Sequence, residues 1–463
     1  MDFNFDEVDR WLTEAYPQME RDLFPLLAFP TVRGDAEPEA PFGRPIAEAL
    51  DYCLELARGL GLEAANVDGY AGFADLAGQE KAQIGVLAHI DVVPVNPADW
   101  QSDPFKPEVR EGRIYARGAE DDKGPLVAAL YAGVALARCG APLKKTVRFI
   151  FGCDEESGMS CVEHYLKHHE PPECGFSPDG YFPLVVGEKG LCKFALTSSW
   201  QQDNSEPLKL LSINSGTVVN VVPDKAEAVF TVSGPVTFEG EQVTGLTIDQ
   251  AGATLRITAL GKAAHASTPD EGENALAKLL QFLATQQFSP RGAKRYVESL
   301  AKLFVDPCYG ASMGVADEDA LSKLTVAPTI LHVDEKSGSL QCDMRFTLTR
   351  NCVYFQQKLM DAAQRNGLIL ENWSGADPLY AGEASPLADA LLQAYREVSG
   401  DTHNKPLIIG GGTYAKKLPN VLAFGPSMPG APFVAHQANE YIECKELLNA
   451  AKIYARALYA LAK

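Results

Sequence analysis

The chain is short of positive charge and has no long apolar run. Lys and Arg number 41 against 61 Asp and Glu, a formal net charge of −20 over 463 residues. Nucleic acid and anionic membrane surfaces repel that sign, so neither is an expected partner. No stretch reaches the roughly 20 apolar residues of a membrane-spanning helix. The nearest, LFPLLAFP at 23–30, is short and broken by Pro25 and Pro30. The ten cysteines include no CxxC pair, which argues against a disulfide framework and for reduced, mostly buried thiols. The opening MDFNFDEVDRW is acidic where a signal peptide would be basic. A cytoplasmic location is therefore expected. There is no internal repeat and no low-complexity tract.

What remains is a globular composition, 46% hydrophobic and 22% charged. The length calls for two or three domains. Residues 44–60 carry Ile46, Leu50, Cys53, Leu54 and Ala57 at helical spacing. IGVLAH, 84–89, reads as a buried strand, 124–140 as a helix with Pro125 in its first turn, and KTVRFIFG, 145–152, as a second core strand. Strand, helix, strand in this order is a βαβ unit. From about 191 short alternating strands replace this texture, in two sets over 208–260 and 324–350. Helix and parallel-strand character return near 384. The expected organisation is an α/β catalytic domain built from 1–190 and 377–463, with a mostly parallel central sheet and flanking helices. An α+β domain over 191–376 interrupts it.

Chemistry gathers where the core strands end. His89 and Asp91 close the first strand, and side chains two apart on a strand share a face. Taken alone they read first as a satisfied polar pair at a strand terminus. Asp154, Glu155 and Glu156 follow the second strand, and Glu120, Asp121 and Asp122 precede the helix between. In open α/β sheets sites lie beyond the carboxyl ends of strands. Each acidic cluster alone could be a solvated loop or a helix cap, and Asp122 stays open on that point. Together they would repel one another and raise each other's pKa unless a cation offsets them. Two histidines and three carboxylates suit zinc or a similar divalent ion. Asp179 in FSPDGYFP and His436 in APFVAHQANEYI could complete such a set. His164 and His168, four apart on a predicted helix, also have a metal-compatible spacing. With His169 beside them and a Pro-rich acidic flank, they read as an exposed face.

AHIDVVP, RGAEDDKGP, DEESG, SPDGYFPLVVGEKG, NVVPDKAE, GKAAHASTP, GGGTYAK and HQANE occur here in one order between about 84 and 440. That order resembles the dinuclear zinc metallopeptidases, the family of aminoacylase, carnosinase and succinyl-diaminopimelate desuccinylase. The resemblance is closest to the bacterial V-type dipeptidases. It implies two zinc ions, with manganese or cobalt as possible replacements. His89 and Asp179 would bind one ion, His436 and Glu156 the other, and Asp121 would bridge them. It implies a cis Asp121–Asp122 peptide and a ferredoxin-like inserted domain, here doubled in size. Two Zn²⁺, three carboxylates and one bridging hydroxide sum to zero charge, as a buried cluster should.

The same resemblance implies that Glu155 is the general base acting on a metal-bridging water. Asp91 would orient His89 from behind. His265, in the inserted domain, would stabilise the oxyanion. Asn220 and Arg345 would contact substrate, Arg345 through the substrate's terminal carboxylate. Gly411 and Gly412 would let backbone approach the ligand. The expected activity is hydrolysis of free-amino dipeptides. One alternative is an N-acyl or N-succinyl amino acid amidohydrolase. Another is a metal-binding relative without catalysis. An aspartate at 179 favours the dipeptidase, since a glutamate there accompanies deacylases in this family. The doubled insertion implies a monomer that covers its own site, with hinges near 190 and 376.

Overall fold

The protein, seen in a computed structural model, is described over residues 3–234, 236, 238, 245–382, 385–432 and 434–463. It divides into two compact units. Met1–Gly187, Tyr380–Leu407 and Gly412–Lys463 form the first; Glu188–Leu379 and Ile408–Gly411 form the second.

The first unit opens with α1 (Phe5–Ala28), whose N-terminus is capped by Asn4 accepting from the Asp6 amide at 3.0 Å. Its buried stripe is Val8, Leu12, Met19, Leu23, Leu26 and Leu27. The α2 helix (Arg44–Gly59) buries Ile46, Ala49, Leu50, Cys53, Leu54 and Ala57, the face its spacing predicts. A hairpin follows, β1 (Glu63–Val67) and β2 (Ala71–Leu76). Its turn places Asp68 and Gly69 in the left-handed region, with φ of 53° and 71°, which matches the twist of paired strands. Then come β3 (Glu80–His89), α3 (Lys123–Arg138), β4 (Lys145–Gly152), α4 (Ser160–His168) and β5 (Cys174–Ser177). Every residue of α3 from Lys123 to Leu136 is buried. A helix apolar all round is a core helix, and α3 packs on α1.

The second unit is built on β6 (Gly190–Ser199), β7 (Leu208–Ser215), β8 (Lys225–Val232), β9 (Leu246–Ala251), β10 (Thr254–Leu260), α5 (Ala275–Thr285), α6 (Arg291–Leu303), β11 (Thr325–Val333), β12 (Ser337–Phe346), α7 (Cys352–Arg365) and β13 (Ile369–Ala376). One eight-stranded sheet runs in the order β9-β10-β8-β7-β11-β12-β6-β13, with every neighbouring pair antiparallel. The half β11-β12-β6-β13, with crossovers through α6 and α7, has the ferredoxin-like order. The other half has the order β9-β10-β8-β7, so β8 pairs with β10 and β9 lies at the edge, and it carries α5. The doubling is thus an extension of one sheet, joined where β7 pairs with β11. A single apolar cluster underlies both halves, from Phe230, Ile257 and Leu279 through Leu331 and Val297 to Leu340 and Phe355. Burying each such side chain contributes roughly 1.5–3 kcal/mol.

The chain returns to the first unit with α8 (Pro386–Ser399), β14 (Val421–Ala423) and α9 (Cys444–Ala462). The α9 helix packs on α3. The first unit's sheet has the order β1-β2-β4-β3-β5-β14. The strands β4, β3, β5 and β14 are mutually parallel, and the β1–β2 hairpin adds an antiparallel edge. Parallel strands covered on both faces are continuously apolar. Accordingly, Ile84–His89 and Val147–Gly152 are buried without interruption. His89 pairs with Gly152 in register and Ser177 with Ala423. The carboxyl ends of these strands therefore lie along one edge.

Candidate metal centre

Three of the five proposed ligands follow directly from strand ends. His89 is the last residue of β3, Glu156 lies four residues beyond β4, and Asp179 lies two beyond β5. Asp121 stands just before α3, and His436 stands in the loop between β14 and α9. The fold brings all five together. His89 Nε2 lies 2.9 Å from Asp121 Oδ1, and His436 Nε2 lies 2.9 Å from Asp121 Oδ2. The one carboxylate thus offers one oxygen to each imidazole. Glu156 Oε1 lies 2.9 Å from His436 Nε2, and Asp179 Oδ2 lies 4.0 Å from His89 Nε2. Donor atoms of His89, Asp121 and Glu156 lie within 4.8 Å of one another, as do those of His89, Glu155 and Asp179. The Asp121–Asp122 peptide is cis.

Electrostatics points the same way. Burial, then the neighbouring Asp121 charge, pushes Asp179 up to about 7. Burial and Asp121 likewise raise Glu156, and burial and Asp179 hold Glu155 well above the usual range. Burial opposes charge on His89 and His436. Asp121, with Asp91 at the first and Glu156 at the second, outweighs it and raises both, His436 to about 11. Buried carboxylates that resist ionising together are the groups a cation would relieve. The donor set, two imidazoles and three carboxylates with one carboxylate between, fits a pair of divalent ions of the zinc type.

The neighbouring acids have other partners. Asp154 accepts from Arg33 Nη1 at 2.5 Å and from the Ser160 amide at 3.0 Å, which secures the start of α4. Glu120 accepts from Ser427 Oγ at 2.7 Å. Asp122 makes no side-chain cap on α3; its Oδ2 accepts from the His89 amide at 3.2 Å. The contact between Asp91 and His89 differs from the expected carboxylate–imidazole pair. The Asp91 backbone carbonyl lies 2.9 Å from His89 Nδ1, and its carboxylate is farther, at 3.6 Å. That carboxylate instead accepts from the amides of Glu155 and Glu156, each at 3.0 Å. A backbone peptide suffices to fix an imidazole tautomer. The charged group goes where two N–H donors are available.

Glu440 and Arg117 are additional supporting residues. Both are buried, and they form an ion pair. Glu440 Oε1 also accepts from the amides of Glu120 and Asp121 at 3.0 and 3.3 Å, and Arg117 Nη2 donates to the His436 carbonyl at 3.2 Å. His436 has φ of 64°, a region a histidine rarely occupies without support. One buried pair therefore holds the backbone of two candidate ligands from distant segments. The sequence carries both residues within distinctive stretches, Glu440 ending HQANE and Arg117 preceding the acidic GAEDD, but not their pairing. Gly152 matters for a different reason. A Cβ there would lie 2.1 Å from the Tyr414 hydroxyl oxygen, and the Tyr414 ring meets His89 edge-on at 6.1 Å.

The remaining candidates, Gly412 excepted, belong to the second unit. Val221 pairs with His265, and Asn220 accepts from the Ala266 amide through its carbonyl at 2.8 Å, so Asn220 and His265 share one short pairing. His265 is exposed, with Nδ1 2.6 Å from Ser267 Oγ. Arg345 is buried and engaged. Its Nε and Nη2 donate to Asp343 at 2.6 and 3.0 Å, and its Nη1 donates to the Gly410 carbonyl. This qualifies the expected role: the guanidinium charge is already matched, and only its remaining N–H groups are open to a ligand. Of the three glycines, Gly410 is the sterically required one, since a Cβ would lie 2.5 Å from Ser267 Cβ. A Cβ at Gly411 would meet open space, and one at Gly412 only the Lys416 side chain.

The chain is similar to known proteins. The description "Peptidase family M20/M25/M40" matches residues 85–460. A Bacillus subtilis (strain 168) protein named "Putative dipeptidase YtjP" is 38% identical over 444 residues, covering 92% of this chain and 93% of that protein. A Staphylococcus epidermidis "Putative dipeptidase" is 36% identical, covering 96% and 97%. Among solved structures, human carnosine dipeptidase 1 aligns with a TM-score of 0.61 at 14% identity, over 99% of this chain and 98% of that one. A dinuclear metal-binding peptidase of Bacillus subtilis aligns with a TM-score of 0.53 at 12% identity, over 97% and 99%. At such identities the structures speak for the fold.

Proposed function

Because the chain belongs to peptidase family M20/M25/M40, we propose that it is a dipeptidase that cleaves free-amino dipeptides at a two-metal centre. The observation that carries this reading is Asp121, with one carboxylate oxygen 2.9 Å from each of His89 Nε2 and His436 Nε2. His89 and Asp179 would hold one ion and His436 and Glu156 the other, with Asp121 between. Bound there, a pair of divalent ions, zinc in the first instance, supplies a lowered water pKa and a polarised carbonyl.

The protein's own groups do the rest. Glu155 is held by its amide to Asp91 Oδ1 at 3.0 Å and shares the His89–Asp179 side of the centre. It takes a proton from the attacking water and delivers it to the leaving amine. Raised proton affinity, from burial and from Asp179 beside it, suits a group that must hold that proton between the two transfers. His265 stabilises the oxyanion from the second unit, which acts as a lid in the same chain. Asn220 and the remaining N–H groups of Arg345 bind the substrate's peptide and carboxylate, and Gly411 and Gly412 let backbone approach the ligand. The lid hinges near 190 and 376, and the functional unit is a cytoplasmic monomer.

A panel of dipeptides set against N-acetyl and N-succinyl amino acids tests the substrate class. Hydrolysis of the free-amino dipeptides is expected, and hydrolysis of the blocked compounds alone would overturn it. Thorough chelation should abolish activity and added zinc, manganese or cobalt should restore it. Activity that survives metal removal would end the two-metal reading.

A further inference from the structure

We propose that Asp68, His164 and His168 form a further divalent-metal site, sharing no residue with the centre above and suited to zinc, nickel or copper. His164 and His168 are one turn apart on α4 and face the same way. Their ring centroids lie 4.8 Å apart. Read from the sequence alone they were two histidines on an exposed helix face with no third donor. The fold supplies the third donor from the β1–β2 turn. Asp68 Oδ2 lies 2.9 Å from His164 Nε2 and 3.6 Å from His168 Nε2.

Three features separate this cluster from an ordinary surface ion pair. Both imidazoles present the same nitrogen, Nε2, to the same oxygen, where a hydrogen bond needs only one of them. The three donor atoms lie within 4.8 Å of one another. Zn–N bonds are about 2.0–2.1 Å long, so donors sharing one tetrahedral ion stand roughly 3.3 Å apart, and small side-chain rotations reach that spacing. The positions are also braced. The His164 ring stacks on Tyr70 at 4.0 Å and 12°, and Tyr70 meets Phe42 edge-on at 5.3 Å. Asp68 is set by a left-handed turn closed by the Tyr70 amide donating to the Val67 carbonyl at 3.0 Å. His169 takes no part, since its ring lies against Tyr165 and Phe73.

Imidazole donors with one carboxylate select zinc, nickel or copper over magnesium or calcium. Asp68 and His168 are exposed and His164 is partly so, which leaves the cluster accessible to an ion. The ion would clip the β1–β2 hairpin to α4, the helix whose first amide Asp154 holds beside Glu155 and Glu156. This site does not rest on the peptidase reading.

The test is equilibrium dialysis of the whole chain against zinc, with metal per chain measured by elemental analysis. Wild type should hold one ion more than the His164→Ala/His168→Ala double variant, whatever the total in either. The same difference should appear with nickel. Asp68→Asn should weaken that one ion by at least the roughly tenfold seen when a ligand's outer partner is lost. Equal metal content in folded wild type and double variant, matched by circular dichroism, would overturn the proposal. A second measurement needs no variant. Zinc should protect His164 and His168 of the wild type from diethyl pyrocarbonate, read by peptide mapping. Full modification of both at saturating zinc would overturn it equally.

Discussion

The two units hold their candidate residues in opposite ways. In the first, four of the five proposed ligands follow a strand end or precede a helix start, His436 lies in a loop, and buried groups grip the backbone beside several of them. Asp91 takes the amides of Glu155 and Glu156, and Glu440 takes those of Glu120 and Asp121. In the second, His265 and Asn220 sit on a two-residue pairing, with His265 exposed. Arg345 is buried but already matched by Asp343. The contrast teaches a division of labour. On the proposed function, a metal centre tolerates little displacement and needs rigid elements, whereas groups that meet a variable substrate can sit on short, exposed ones.

The sharpest break in this comparison would come at Glu155. Glu155→Ala should lower kcat by about 10²–10⁴-fold while metal content stays unchanged. Retention of more than a few per cent of activity would remove its role as base. Next is Glu440→Ala, which strands the buried Arg117. It should destabilise the chain by about 3–5 kcal/mol, read by urea unfolding, and weaken metal binding. Unchanged metal affinity in the folded variant would mean that the backbone grip on Asp121 and His436 is not needed. His265→Ala should lower kcat by about 10²–10³-fold and leave metal content intact, which would separate the units functionally. Mixing it with Glu155→Ala sharpens this: recovered activity would show that subunits share sites. The smallest effect belongs to Arg345→Lys, which should raise KM several-fold with kcat nearly unchanged. A fall in kcat with constant KM would assign Arg345 to structure alone.

Legibility followed the same divide. Motifs at strand ends were readable because a polar residue closing an apolar run is conspicuous, as at His89 and Asp154. The helix 124–140 was readable because its apolar run is unbroken. The partners behind the proposed ligands were not. Glu440 and Arg117 are 323 residues apart, and no local pattern links them. The exchange at Asp91, carbonyl to imidazole and carboxylate to amides, was equally hidden, because a residue's spacing does not say which of its oxygens is used. In the second unit, 208–260 and 324–350 read as two sets of strands, but their union in one sheet depends on β7 pairing with β11.

The sequence by itself determined the α/β character, the interruption by an antiparallel region and the donor types. All of these rest on local periodicity and side-chain chemistry. Only the tertiary structure decided which acids of each cluster face the two histidines and which cap, pair or support. Asp121 turns to both imidazoles while Glu120 and Asp122, its immediate neighbours, turn to Ser427 and the His89 amide. Adjacent residues of identical charge differ only in where packing points them, and that direction is a property of the assembled core.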